Sequence, residues 1–386
     1  MNPQYINSNR KLKTCISALN RSEEIAVDLE FDKNRYRYGF NLCLVQIYSG
    51  RSCYLIDPLS EKLDIEELFP VLENDQIQKV VFAFGEDLRL LHSLGCFPRN
   101  IFDISIATGL LNYPPSSLTS LLADILKIDA GKSSQTSNWY KRPLSEEQKM
   151  YAAQDVIHLP EIKKVLLEEA IKKNITSWIA EENAVFDELN YSEEADNRFL
   201  KEKDKSGLTE QEWHVFKQLM SYREDLAKYY NRPSYQIIDK GYLTDIAKNP
   251  EKLAGWNKTK GIFKAVRNGA YREKLSDLVD RSIREAQHTG LSASEPAIKP
   301  LSDEESLAKK KEQSRINRIR NTLLDPIKKR IAEKHGKHAA SYMLSNRIMT
   351  EIISGKVSPE NYKMDLILYY AEELNKDLEV VLEVVK

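Results

Sequence analysis

The chain has 386 residues, 41% of them hydrophobic and 30% charged, and its 57 basic and 58 acidic side chains leave a formal net charge of -1. That length exceeds one small core and implies two or three domains. No apolar run approaches the ~20 residues that cross a bilayer, and the opening MNPQYINSNRKLK lacks the apolar stretch of a signal peptide. Cys15, Cys43, Cys53 and Cys96 form no C-x-x-C pair. They are expected to be reduced core cysteines of a cytoplasmic protein, not a disulfide framework or zinc site.

Residues 1 to about 170 alternate strand and helix signals. Strands are predicted at 25-IAVDLEF-31, 42-LCLVQIY-48, 53-CYLIDP-58 and 79-KVVFAF-84. The first three read as a meander, with short connections at Asn41 and at Ser49-Gly50-Arg51. The helical stretch 64-DIEELFPVLEN-74 separates them from the fourth. A helix follows at 85-GEDLRLLHSLG-95, opened by an acidic pair and closed by glycine. Asp103 and Ser117 are suited to cap two more helices, and Ser145 with Gln148 makes a capping box for 146-EEQKMYAAQDVIHL-159. The segment 161-EIKKVLLEEAIKKNI-175 continues helical after Pro160.

Beyond residue 176 no strand is expected. The acidic, then mixed-charge segment 186–207 reads as a linker or docking helix. Thr209 with Glu212 opens a helix over 210–230, and further helices are predicted at 242–249, 251–256 and 262–286. The Ser-, Pro- and Gly-rich segment 287–306 is a linker before a last helical unit. Between Lys309 and Lys337 lie eleven basic residues against three acidic ones (Glu312, Asp325, Glu333), so the balanced total conceals a basic stripe. Ile316, Ile319, Leu323 and Ile327 keep helical spacing there. The stripe is therefore either a phosphate-binding surface or the polar face of an amphipathic helix.

The acids in the first half carry the chemistry. Side chains alternate along a strand, so Asp28 and Glu30 share one face. Two carboxylates side by side repel unless a cation sits between them. Asp87 lies in the first turn after the fourth strand, at the end of the sheet where α/β sites gather. Tyr151 and Asp155 are one helical turn apart on one face. Each has an ordinary reading alone: exposed sheet polarity, a helix N-terminal charge, helix-surface residues. Jointly they form D-x-E, then D, then Y-x-x-x-D, in order.

That pattern resembles ribonuclease D and the wider group of 3′–5′ exonucleases built on Asp, Glu, Asp, Asp and Tyr. The resemblance rests on 28-DLEF-31, 42-LCLVQI-47, 55-LIDP-58, 79-KVVFAFGEDLRLL-91, 101-IFDISIATGLL-111 and 138-NWYKRPLSEEQKMYAAQDVIHL-159. It covers residues 1 to about 175. Residues 208–286 resemble an HRDC domain, a nucleic-acid-binding module, through 222-YREDLAKYYNRPSYQII-238, 243-LTDIAKNP-250 and 260-KGIFKAVRNGA-270. The segment 339-AASYMLSNRIMTEIISGK-356 is a weaker match to a second copy. Two positions depart from the family pattern: Phe82 stands where a His is common, and Asn138 where S-D-W is common. Neither is a metal ligand, so altered substrate handling is expected.

The resemblance implies an α/β fold: a ribonuclease H-like mixed sheet with flanking helices, then two all-α HRDC-like domains. Its bounds would be 1–190 for the exonuclease domain, 207–290 for the first HRDC domain and 309–386 for the second. It implies a metal-dependent 3′–5′ exoribonuclease acting on single-stranded RNA 3′ ends, such as those of tRNA precursors. Nucleoside 5′-monophosphates would be released. Neither a membrane nor a further small-molecule cofactor is expected. Asp28, Glu30, Asp87 and Asp155 would hold two divalent ions, Mg²⁺ or Mn²⁺, because clustered carboxylates are hard oxygen ligands. Tyr151 would orient the attacking water. Phe31 could stack on a terminal base, as could Trp139 and Tyr140, although Trp139 reads better as core. Lys132, Lys141 and Arg142 near the site, and Lys260, Lys264 and Arg267 in the first helical unit, are candidates for phosphate contact. Lys228, Arg232 and Lys258 are further candidates in that unit. The alternatives are a 3′–5′ DNA exonuclease of repair, and a non-enzymatic HRDC scaffold that binds nucleic acid. The scaffold reading predicts a lost acid, and none is lost.

Overall fold

A computed structural model of the chain describes residues 2–129, 136–192, 199–299 and 301–385. They fall into two compact units. One comprises residues 1–30, 42–192 and 303–386, the other 31–41 and 193–302. No described helix is long and apolar enough to cross a membrane.

The first unit is built on a six-stranded mixed sheet. Its strands are β1 (Gln4–Ile6), β2 (Glu24–Lys33), β3 (Phe40–Tyr48), β4 (Cys53–Ile56), β5 (Gln78–Val81) and β6 (Ile101–Asp103), in the order β1-β4-β3-β2-β5-β6. β3 and β4 are antiparallel, whereas β1 on β4, β5 on β2 and β6 on β5 are parallel. Helices α1 (Asn9–Leu19), α2 (Phe69–Glu73), α3 (Gly85–Ser93), α4 (Ile104–Leu110), α5 (Leu118–Leu121), α6 (Glu146–Ile157), α7 (Leu159–Lys173) and α8 (Thr176–Ala184) flank it. The mixed α/β fold class is the expected one.

Local signals set many of these boundaries. Asp103, Ser117 and Ser145 cap α4, α5 and α6, and the Ser145–Gln148 capping box is closed in both directions. The central strands β2 to β5 lie where the apolar runs place them. β1 and β6 were not expected, because three residues are too few to show alternation. The turn after β2 also differs from its predicted place at Asn41. β2 runs on to Lys33, and the buried Asp32 carboxylate takes the backbone amides of Arg35, Tyr36 and Arg37. Asn34 and Gly39, both with positive φ, close that turn.

The second unit contains α9 (Glu210–Tyr230), α10 (Ser234–Ile237), α11 (Lys240–Lys248) and α12 (Gly269–His288), around Phe216, Leu219, Leu243, Trp256 and Leu275. Two expectations change here. The predicted helix over 262–286 begins only at Gly269, behind the Asn268 cap. Residues 262–268 instead bridge Ile238 through Ile262, and Val266 accepts the Trp256 indole N–H at 2.9 Å. The predicted linker 287–306 is partly docked. The carbonyls of Ser292 and Glu295 accept the free amides of Gln211 and Glu210 in the first turn of α9, and Ala297 donates to the Leu208 carbonyl.

The chain then returns to the first unit with α13 (Asp303–Ile319), α14 (Asp325–His335), α15 (Lys337–Met343), α16 (Asn346–Ile353), α17 (Asn361–Glu373) and α18 (Leu378–Val385). Ile316, Leu323, Ile327, Met343, Ile352 and Ile367 share one apolar cluster with Ala107, Leu111, Leu166 and Ile179 of the α/β core. The Asn112 side chain accepts the amides of His338 and Ala339 at the start of α15. Gly109 is the close-approach point, since a Cβ there would lie 2.6 Å from the Tyr342 ring.

Candidate active site

β2 presents Asp28 and Glu30 on one face, and α6 brings Asp155 over it. One carboxylate oxygen from each of the three lies within 4.8 Å of the others. Asp87, in the first turn of α3, joins them, close enough for its charge to act on both Asp28 and Glu30. Tyr151 hydrogen-bonds the Asp155 carboxylate, as residues one turn apart on α6 can. Ala152 and Ala153 between them are buried against the core, and these small side chains let α6 approach the sheet.

Among the described residues no lysine or arginine pairs with any of the four acids. Burial is the leading reason their protonated forms are favoured, and mutual repulsion adds to it. Asp28 is raised well above the usual carboxylate range by burial and by the charges of Asp87 and Asp155. Glu30 is raised by burial and then by Asp28, Asp155 and Asp87. Asp87 and Asp155 are both pushed up to about 7, chiefly by burial. Close carboxylates without a counter-charge form an unfavourable arrangement that a divalent cation relieves. The donor set, all oxygen with no His or Cys, therefore fits Mg²⁺ or Mn²⁺.

The other predicted site residues lie differently. Phe31 follows Glu30 along β2, and its ring packs edge-on against Phe40 at 5.1 Å. Lys132 lies outside the described residues. Arg142 is a correction. Its Nε and Nη2 fork the Asp57 carboxylate at 2.8 and 2.6 Å, and its remaining N–H groups reach the carbonyls of Cys43, Trp139 and Lys141. A guanidinium has five N–H donors, so none is left for a phosphate. Arg142 is a clamp between β3, β4 and the segment before α6. Its partner Asp57 also accepts the Tyr5 hydroxyl at 2.5 Å, and the Arg142 side chain holds that carboxyl below the usual range against its burial. No sequence spacing joins Tyr5, Asp57 and Arg142. Trp139 is core, 6.2 Å from Tyr151 between ring centres. Lys260, Lys264 and Arg267 belong to the second unit, the two lysines exposed and Arg267 partly so.

The chain is similar to several known proteins. A family model described as 3′-5′ exonuclease matches residues 3–171. Ribonuclease D of Desulfotalea psychrophila is 33% identical over 258 residues, which are 64% of this chain and 68% of that protein. Ribonuclease D of a Jannaschia species is 30% identical over 291 residues, 73% of this chain and 74% of that protein. Among solved structures, Escherichia coli RNase D, described as an exoribonuclease involved in structured RNA processing, has a TM-score of 0.66 at 22% identity, covering 94% of this chain and 93% of that one. The catalytic core of RRP6 from Trypanosoma brucei has a TM-score of 0.62 at 24% identity, covering 73% of this chain and 80% of that one. These two establish a shared fold, and the curated relatives establish the family. The chain belongs to the ribonuclease D family and is a 3′–5′ exoribonuclease.

Proposed function

We propose that the enzyme trims the 3′ ends of structured RNAs such as tRNA precursors in the cytoplasm, with Asp28, Glu30, Asp87 and Asp155 holding two divalent ions, Mg²⁺ or Mn²⁺. The observation that carries the site assignment is the convergence of Asp28, Glu30 and Asp155 within 4.8 Å, with no counter-charge among the described residues. When bound, such ions lower the pKa of water and offset charge on the phosphodiester oxygens. The chain's own work is to hold and to aim. The four carboxylates stay ionised to bind cations. Tyr151, held by Asp155, presents its hydroxyl to orient the attacking water. A free phenol has a pKa near ~10, so this hydroxyl positions the water and does not deprotonate it. The water oxygen bonds to phosphorus and the P–O3′ bond breaks, leaving a new 3′ hydroxyl on the shortened RNA and a nucleoside 5′-monophosphate. Phe31 would stack on a terminal base, and Lys260, Lys264 and Arg267 would meet the backbone further along the strand.

The test offers purified protein, with Mg²⁺ or Mn²⁺, 3′-labelled single-stranded RNA, the matching DNA and a tRNA with a 3′ extension, beside an Asp155→Asn variant. Monophosphate release from RNA and from the extension, lost in the variant, is expected. Equal release by variant and wild type rejects the site assignment. Preference for DNA overturns the substrate reading, and trimming of free strands alone overturns the tRNA assignment.

A further inference from the structure

We infer that Asp103 is a positioning residue for Asp87. The inference rests on the site assignment proposed above. By sequence Asp103 is a helix cap, and it does cap α4: Oδ1 accepts the Ser105 amide at 2.7 Å. A cap needs one acceptor, which Ser, Thr or Asn supplies as well. The Asp103 carboxylate does more. Oδ1 also accepts the Ala83 amide and Oδ2 the Phe84 amide, both at 2.9 Å. Those two residues form the turn between β5 and α3, which delivers Asp87.

That turn has reason to be held from outside. Ala83 sits in the left-handed region, φ 55°, where a residue with a Cβ is disfavoured. Phe84, at the N-cap position of α3, has no side-chain acceptor of its own for the helix's free amides. Asp103 caps this entry from another strand. It is itself fixed: β6 registers Asp103 opposite Val81, and its own amide donates to the Asn183 side chain at 2.6 Å. Both Asp103 and Asn183 are buried. One carboxylate therefore ties the start of α4 to the start of α3, three residues before Asp87. Its charge also adds to the negative field around Asp87. Groups that orient a metal ligand from behind typically change metal affinity or activity by ~10- to 100-fold when removed.

Asp103→Asn keeps the size and the cap on α4, but turns one acceptor into a donor facing a backbone N–H. Asp103→Ser keeps the cap and no longer reaches the turn. The experiment titrates the full-length protein with Mn²⁺ by calorimetry, and follows RNA hydrolysis against metal and RNA concentration. The expected result is a Mn²⁺ affinity weakened about 10-fold in both variants. kcat should fall at low metal and recover at high metal, with the KM for RNA unchanged. Mn²⁺ affinity within 2-fold of wild type in a folded variant overturns the inference. If Asp103→Asn does not fold, Asp103→Ser decides. Asp87→Asn is the reference: Mn²⁺ binding untouched by that change would mean that the site assignment has failed, not the positioning role.

Discussion

Two groups of carboxylates in the first unit are treated oppositely. In the candidate site Asp28, Glu30, Asp87 and Asp155 crowd together with no lysine or arginine among the described residues paired to them, and all four are held above the usual carboxylate range. Where the C-terminal helices meet α8, Glu182 is compensated on every side. Its carboxylate accepts the hydroxyls of Tyr362 and Tyr342 and pairs with Lys363 Nζ at 2.7 Å, while Lys363 also holds Glu360 at 2.8 Å. Trp178 stacks on the Tyr362 ring at 5.2 Å beside this network. Compensation separates a joint from a site. A satisfied buried charge fastens two segments, whereas an unsatisfied cluster is kept for a ligand that arrives later.

Four variants press on that contrast. The largest effect is expected from Asp155→Asn, which should lower RNA hydrolysis at saturating metal by at least about 1,000-fold. Melting of the metal-free protein should show the opposite sign. A carboxylate raised from 3.8 to about 7 contributes stability that is complete below about 4 and is lost as pH rises through about 7. Wild type without metal should therefore melt lower at pH 8 than at pH 5. Asp155→Asn should recover on the order of 1 to 3 kcal/mol at pH 8, allowing for solvent screening, and Mn²⁺ should stabilise wild type more than the variant. A destabilised metal-free variant would break the contrast.

Next comes Glu182→Ala, which leaves Lys363 half-paired and two hydroxyls without their acceptor. It should cost about 3 kcal/mol in urea unfolding, with activity per folded molecule within 2-fold of wild type. Large loss of activity without loss of stability would make Glu182 part of the site. Tyr151→Phe removes one hydroxyl and should reduce kcat roughly 10- to 100-fold while leaving the KM for RNA in place. The smallest effect is expected from Tyr362→Phe, about 1 kcal/mol in stability and none in kcat, since Lys363 and Tyr342 still hold Glu182.

How far the sequence alone reaches can be followed residue by residue. D-x-E in a strand puts Asp28 and Glu30 on one face wherever that strand lies. Y-x-x-x-D does the same on a helix. That β2 and α6 face one another, so that Asp155 completes the cluster, lies in no local spacing. Arg142 shows the converse. Its charge and place near the site suggest a phosphate, but Asp57 and the Cys43 carbonyl from distant segments, with the neighbouring carbonyls of Trp139 and Lys141, take its donors. The exposed-looking segment 292–297 is likewise spoken for, by the free amides of α9.

By itself the sequence determined the central strands, the capped helix starts and the shared face of each pair of site residues. These depend on periodicity and on hydrogen bonds spanning three or four residues. The tertiary structure alone decided which faces meet: Asp87 beside Asp28, Asp103 behind the turn that carries Asp87, and the last helices built into the nuclease core through Asn112 and Glu182. Those outcomes depend on donors and acceptors brought together by packing. A buried polar group accepts whichever partner the fold puts beside it, however far away along the chain.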